Sequence, residues 1–169
     1  MLALSVQNFN DWRTKARHCL QRGVHPDQIQ WLSDLQPESL FSMPDTKLSG
    51  APVIKQPCLD KRFFALANEV CCFNSQAQWT HLYRIAHALV FEDKRRLEDP
   101  LDADMRILQT MRKKISRDKH KMKAFVRFKQ VAQVTPSGQA VSEHFVAWFE
   151  PDHFILADMA PFFANVSII

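Results

Sequence analysis

Glycine is scarce in this chain of 169 residues: there are three, Gly23, Gly50 and Gly138, and the closest two are 27 positions apart. A phosphate-cradling loop needs two or more glycines within about six residues, so that the backbone can turn tightly against a pyrophosphate. Walker-type nucleotidases and dinucleotide-binding dehydrogenases are excluded by that spacing. The four cysteines, Cys19, Cys58, Cys71 and Cys72, contain no C-x-x-C and no Cys/His quartet at structural-zinc spacing, so neither a metal nor a cofactor is expected. The adjacent Cys71 and Cys72 read as packed thiols in a reducing compartment. No apolar run approaches the roughly 18 residues that span a bilayer. The opening MLALSVQNFND lacks a basic leader and turns polar at Gln7. These absences predict a soluble, cytoplasmic protein with no membrane partner.

What is present fits a packed domain: 46% hydrophobic and 24% charged residues, close to globular averages. LALSV at 2 to 6 reads as a strand, and Asn10 offers an N-cap for a helix that carries Trp12, Ala16, Cys19 and Leu20 and ends at Gly23. Pro26 and Asp27 make a turn before an extended piece with Ile29 and Trp31 on one face. Residues 36 to 57 hold four of the nine prolines with Ser39, Ser42, Ser49 and Gly50, which suits an exposed loop. From 58 to 99 there is no proline, and Phe63, Leu66, Ala67, Val70 and then Trp79, Leu82, Tyr83, Ala86, Leu89, Val90 recur at helical spacing. Two amphipathic helices broken at Asn74-Ser75 follow, with His81 and His87 beside the apolar stripe. A third helix is expected from Asp99 as N-cap and Pro100 as first helical residue to about Asp118 or a little beyond. AFVRFKQV at 124 to 131 and EHFVAWFE at 143 to 150 alternate as strands around Pro136-Ser137-Gly138 and predict a β-hairpin. A short helix over 154 to 163 completes a single α+β domain, helix-rich with a small antiparallel sheet, since strands are grouped rather than alternating with helices.

Charge is the most informative feature. Residues 111 to 129 hold nine of the 22 basic residues, Arg112, Lys113, Lys114, Arg117, Lys119, Lys121, Lys123, Arg127 and Lys129, against one acid, Asp118. The segment is +8, whereas the remainder is −4, with 13 basic and 17 acidic residues. Helical projection puts Leu101, Leu108, Met111, Ile115 and Met122 on one side and Lys113, Lys114, Arg117 and Lys121 opposite. Lys119 projects near the apolar seam, so either its stem snorkels or the helix has ended before HKMK. A solvated helix face also carries charge, but such faces normally mix signs. Nearly unmixed cations mark a polyanion partner, DNA in the first instance and single-stranded DNA among its forms. On the adjoining strand Phe125, Arg127 and Lys129 share one face, a pattern that stacks bases while neutralising backbone, and Val126 and Phe128 are expected in the core.

Catalytic candidates are thinner. His120 in the basic segment, with Asp152 and His153 at a proline turn beside Glu150, could form acid/base groups of a small enzyme acting on nucleic-acid ends or nucleotides. The structural alternative is that Asp152 caps the last helix and His153 opens it. No serine or cysteine carries a nucleophile signature.

RDKHKMKAFVRF at 117 to 128, AWFEPDHFI at 147 to 155 and APFFA at 160 to 164 closely resemble a domain found amino-terminal to UdgX-type uracil-DNA glycosylases, which also occurs alone beside radical-SAM proteins of DNA metabolism. WRTKARHCLQRGVHPDQIQW at 12 to 31 and WTHLYRIAHAL at 79 to 89 extend the resemblance over essentially the whole chain. It implies a DNA-repair setting, an accessory module and a glycosylase domain or radical-SAM protein as partner. No catalytic residue is carried over. The glycosylase half, with its iron-sulfur cysteines and uracil pocket, would follow residue 169. After APFFA the family continues with an Arg-Phe pair and a Trp, whereas this chain reads NVSII, which predicts a truncated or degenerate end.

Overall fold

The computed structural model describes residues 1–33, 52–134 and 140–164. Most of the proline- and serine-rich stretch, the Pro136-Ser137-Gly138 turn and the final NVSII lie outside them. The chain forms two compact units, Met1–Lys113 and Lys114–Ile169, and its class is α+β.

In the first unit, β1 (Leu2–Val6) leads to α1 (Phe9–Gln21), and a 3-10 turn at Pro26–Gln28 leads to β2 (Ile29–Ser33). The strands pair in parallel, Leu2 opposite Ile29 and Val6 opposite Ser33, which α1 makes possible by carrying the chain back to the start of the sheet. The N-cap of α1 is Asn8, not Asn10. Its side chain accepts the Asp11 N–H at 3.0 Å while the Asp11 carboxylate accepts the Gln7 N–H at 3.1 Å, so two backbone donors are satisfied around a cap two residues earlier. Gly23 closes the helix at φ 63°, a conformation that glycine adopts without steric cost.

α2 (Lys61–Val70) and α3 (Ala77–Phe91) follow, the first capped by Asp60 and the second entered through Ser75, whose hydroxyl accepts the Ala77 N–H. Their apolar positions join the core of this unit. Trp12 stacks on Phe9 and on Trp79, and Trp31 packs against Tyr83, whose hydroxyl donates to the Val24 carbonyl at 2.8 Å. Cys19, Leu20, Phe63, Leu82, Ile85 and Leu108 are among the other buried residues of this core.

α4 runs from Ala103 to Phe125, and the boundary between units falls within it. Its start lies later than expected. Asp99 accepts the Leu101 N–H and Pro100 belongs to that turn, while buried Asp102 accepts the Met105 N–H at 2.8 Å and caps the helix proper. Leu101 is therefore 84% exposed, outside the apolar seam. His81 pairs with Asp104 at 2.6 Å, tying α3 to the first turn of α4. The helix also ends later than expected, past HKMK, because no glycine or proline interrupts it and Arg127 donates to the carbonyls of Ala124 and Val126 at its end.

The second unit adds β3 (Lys129–Val134), β4 (Ala140–Val146) and α5 (Leu156–Ala164). The strands form the expected antiparallel hairpin, with Lys129 opposite Val146 and Val131 opposite His144. The strand begins at 129 rather than 124, since Ala124 and Phe125 are the last residues of α4. Ile115, Met122, Val126, Ile155 and Met159 are buried.

Candidate nucleic-acid interface

Three kinds of side chain meet in the second unit: cations of α4, exposed aromatic rings, and a buried acid. The acid is Asp118, only 3% exposed, whose carboxylate accepts the backbone N–H of His153 at 2.9 Å. It pins the turn before α5 to the middle of the helical row, and it is a structural anion rather than a break in the basic face. Sequence reasoning counted it only as a charge. Its helical position beside Ile115 and Met122 was the available signal.

Around that anchor the cations divide. Lys114, Arg117, Lys121 and Lys123 are exposed on α4, and Arg117 makes no hydrogen bond or ion pair among the described residues. Lys121 stands 3.6 Å from Asp152, a loose pair between two exposed side chains. Lys119 is half-buried and holds Asp158 of α5 at 2.7 Å, so the helix continues and the Lys119 stem runs along the apolar seam to a carboxylate. Lys123 lies over the Phe162 ring at 4.7 Å. Arg127 closes the end of α4, and Lys129 is exposed at the start of the hairpin. In the first unit, Arg112 is paired with Glu69 of α2, while Lys113 is exposed and unpaired among the described residues. The basic run is thus not a uniform row of outward tips: Arg112, Lys119 and Lys121 have carboxylate partners and Arg127 has backbone partners. The second unit carries seven Lys and Arg against five Asp and Glu.

Several aromatic rings of this unit are exposed. Phe125 is 69% exposed at the helix end and Trp148 is 88% exposed just past β4. Phe128, expected in the core, is 37% exposed and meets Phe163 edge to face, because residue 128 belongs to the link between helix and strand, not to an alternating strand. Phe145, Phe154 and Phe162 are exposed as well. On the hairpin, Lys129, Gln130, Val131, His144, Phe145 and Val146 are all exposed, so these residues cover neither face. A two-stranded ribbon of this kind is marginal on its own.

The acid/base candidates are not brought together by hydrogen bonds. Asp152 pairs with Lys121 and does not cap α5, which starts at Leu156. His153 is held through its backbone by Asp118. His120 is exposed and makes no hydrogen bond or ion pair among the described residues. No group of three or more metal-ligating side chains occurs among the described residues, and none of their helices is long and apolar enough to cross a membrane.

No curated protein and no solved structure matches the chain. A family model does match: residues 76–166 fit DUF4130, a domain of unknown function. That span takes in α3, α4, the hairpin and α5, with every cation and exposed ring described above. Over more than half its length, and through the whole of its candidate interface, the chain belongs to the DUF4130 family.

Proposed function

We propose that this protein is a nucleic-acid-associated accessory module of uracil-excision and DNA-repair systems, and that its second unit binds single-stranded DNA. The observation that carries the reading is the exposure of Trp148 and Phe125 in the unit that carries Lys114, Arg117, Lys121 and Lys129. Every base has a flat face that stacks on an aromatic ring, while cations neutralise the backbone. The resemblance to the domain preceding UdgX-type glycosylases supports the DNA-repair setting and a glycosylase domain or radical-SAM protein as partner.

The ion pairs set the size of the electrostatic contribution without abolishing it. Exposed pairs are worth roughly 0 to 1 kcal/mol, so a phosphate displaces Asp152 from Lys121 at little cost. Lys119 and Arg127 are committed to structure and contribute less. Three to five phosphate contacts are expected from Arg117, Lys121, Lys129 and Lys123 together with Lys114.

Trp148→Ala and Phe125→Ala test the reading by fluorescence anisotropy on a labelled single-stranded oligonucleotide. Each stacked base is worth about 1 to 3 kcal/mol, so each variant weakens binding by roughly fivefold to more than a hundredfold while the fold melts unchanged. Wild-type affinity in both variants contradicts the proposal. The exposed Phe154, Leu156 and Phe162 favour a second reading, docking onto a protein partner. Stable copurification with a glycosylase or radical-SAM protein that resists nuclease and high salt distinguishes it.

A further inference from the structure

The first unit contains a cavity of about 320 Å³ along α1. Arg13, Arg17 and His18 line it together with the half-buried Phe64 and the buried Trp12 and Phe63. Among the described residues no carboxylate lines it, although the chain as a whole carries 18 acidic residues. Arg13 and Arg17 are one helical turn apart and both exposed, and neither has an ion-pair partner among the described residues. Spacing of this kind brings two guanidinium forks to one side of a helix, where each can donate two hydrogen bonds to the oxygens of one anion. Arg13 is already placed, its guanidinium 5.0 Å from the centre of the Phe64 ring, so less freedom is lost when it binds. Trp12 also lines the cavity, but it is buried and stacked on Phe9 and Trp79, so it backs the cavity rather than offering a free ring face.

Size narrows the ligand. Small-molecule pockets run from roughly 300 to 1,000 Å³, and this one lies at the small end, too small for a dinucleotide cofactor. Two guanidinium groups, an imidazole and the half-buried Phe64 ring together match a phosphate monoester attached to a flat heterocycle. We propose that this cavity binds a nucleoside monophosphate, free or as the 5′-phosphorylated end of a strand: Arg13 and Arg17 hold the phosphate, with His18 beside them, and the half-buried Phe64 receives the base. Asn10 and Thr14, which also line the cavity, supply neutral polar groups for the base edge or sugar. The site lies wholly within Met1–Lys113, so it goes beyond the strand-binding reading and stands or falls separately.

Calorimetric titration of the full chain with adenosine monophosphate, adenosine and inorganic phosphate tests it. The monophosphate is expected to bind at least tenfold more tightly than either fragment. Arg17→Gln, at an exposed position, is expected to weaken it about tenfold or more, since a hydrogen bond to a charged group is lost. Phe64→Leu should weaken the monophosphate and leave inorganic phosphate unchanged, and Thr14→Trp should block the cavity without disturbing the core. Reversal of Lys114, Arg117 and Lys121 to Glu should leave monophosphate binding intact, which separates this site from the proposed strand interface. In that reversed background, 5′-phosphorylated and 5′-hydroxyl trinucleotides distinguish a strand end from a free nucleotide. Absence of monophosphate binding at millimolar concentration, equal affinity for inorganic phosphate, or wild-type affinity in an Arg13→Gln/Arg17→Gln variant overturns the proposal.

Discussion

Single residues show how burial and partners decide chemistry that composition leaves open. Burial pushes the Cys19 thiol up to about 12, against a smaller opposing pull from Arg22, whereas Cys58 is exposed. Since the thiolate is the nucleophile, iodoacetamide under native conditions should alkylate Cys58 and spare Cys19 until the protein unfolds. Peptide mass spectrometry checks this, and native modification of Cys19 contradicts it. His87 is also buried. Burial, with the neighbouring His25 as a lesser cause, lowers its pKa below the ordinary 6.5, and Glu92 opposes the shift. The folded state therefore takes up this proton less readily than the unfolded chain, and stability rises with pH. His87 leaves stability intact above 6.5 and reduces it as pH falls through 6.5 towards the lower folded value. Urea midpoints measured from about pH 7.5 to pH 5.5 should fall less steeply in His87→Phe than in the wild type. An identical slope would show that His87 is not the group responsible.

At the scale of elements, α4 is the member whose limits matter most. Asp102 both caps it and accepts the Arg96 guanidinium at 2.6 Å, so Asp102→Ala removes two roles at once. Cap removal costs up to about 2 kcal/mol, and the loss of the Arg96 pair puts this variant at that upper end in urea unfolding. A cost below about 0.5 kcal/mol would mean that Asp99 takes over as cap. Helix existence was legible in the periodicity of Phe63 to Val70, Trp79 to Val90 and Leu108 to Met122, because apolar spacing records which face is buried. Helix ends were not, because Asn8 competes with Asn10 and Asp102 with Asp99, and only the hydrogen bond each side chain makes to the first-turn backbone decides between similar caps. The hairpin was legible for the same reason as the helices. Residues 124 to 128 were not, since the aromatic and basic alternation in AFVRF suits an exposed helix end as well as a strand. In the candidate interface, the cations could be read from the sequence, but their partners could not. Glu69, Asp152 and Asp158 lie far along the chain from the residues they neutralise.

For the whole molecule, the two units carry different kinds of proposed site. Met1–Lys113 surrounds a small cationic and aromatic cavity, and Lys114–Ile169 exposes rings and cations over a helix and a ribbon. The central claim is that the cations of the second unit engage a sugar-phosphate backbone in spite of their ion pairs. Counterion release makes that claim quantitative, because each neutralised phosphate on a single strand contributes about −0.7 to the slope of log K against log salt. The decisive measurement is the affinity for a single-stranded oligonucleotide at several salt concentrations, for the wild type and for the variant with Lys114, Arg117 and Lys121 reversed to Glu. Three to five contacts give a wild-type slope of about −2 to −4, with binding lost in the variant. A slope near zero, or a variant that binds as the wild type does, would contradict it.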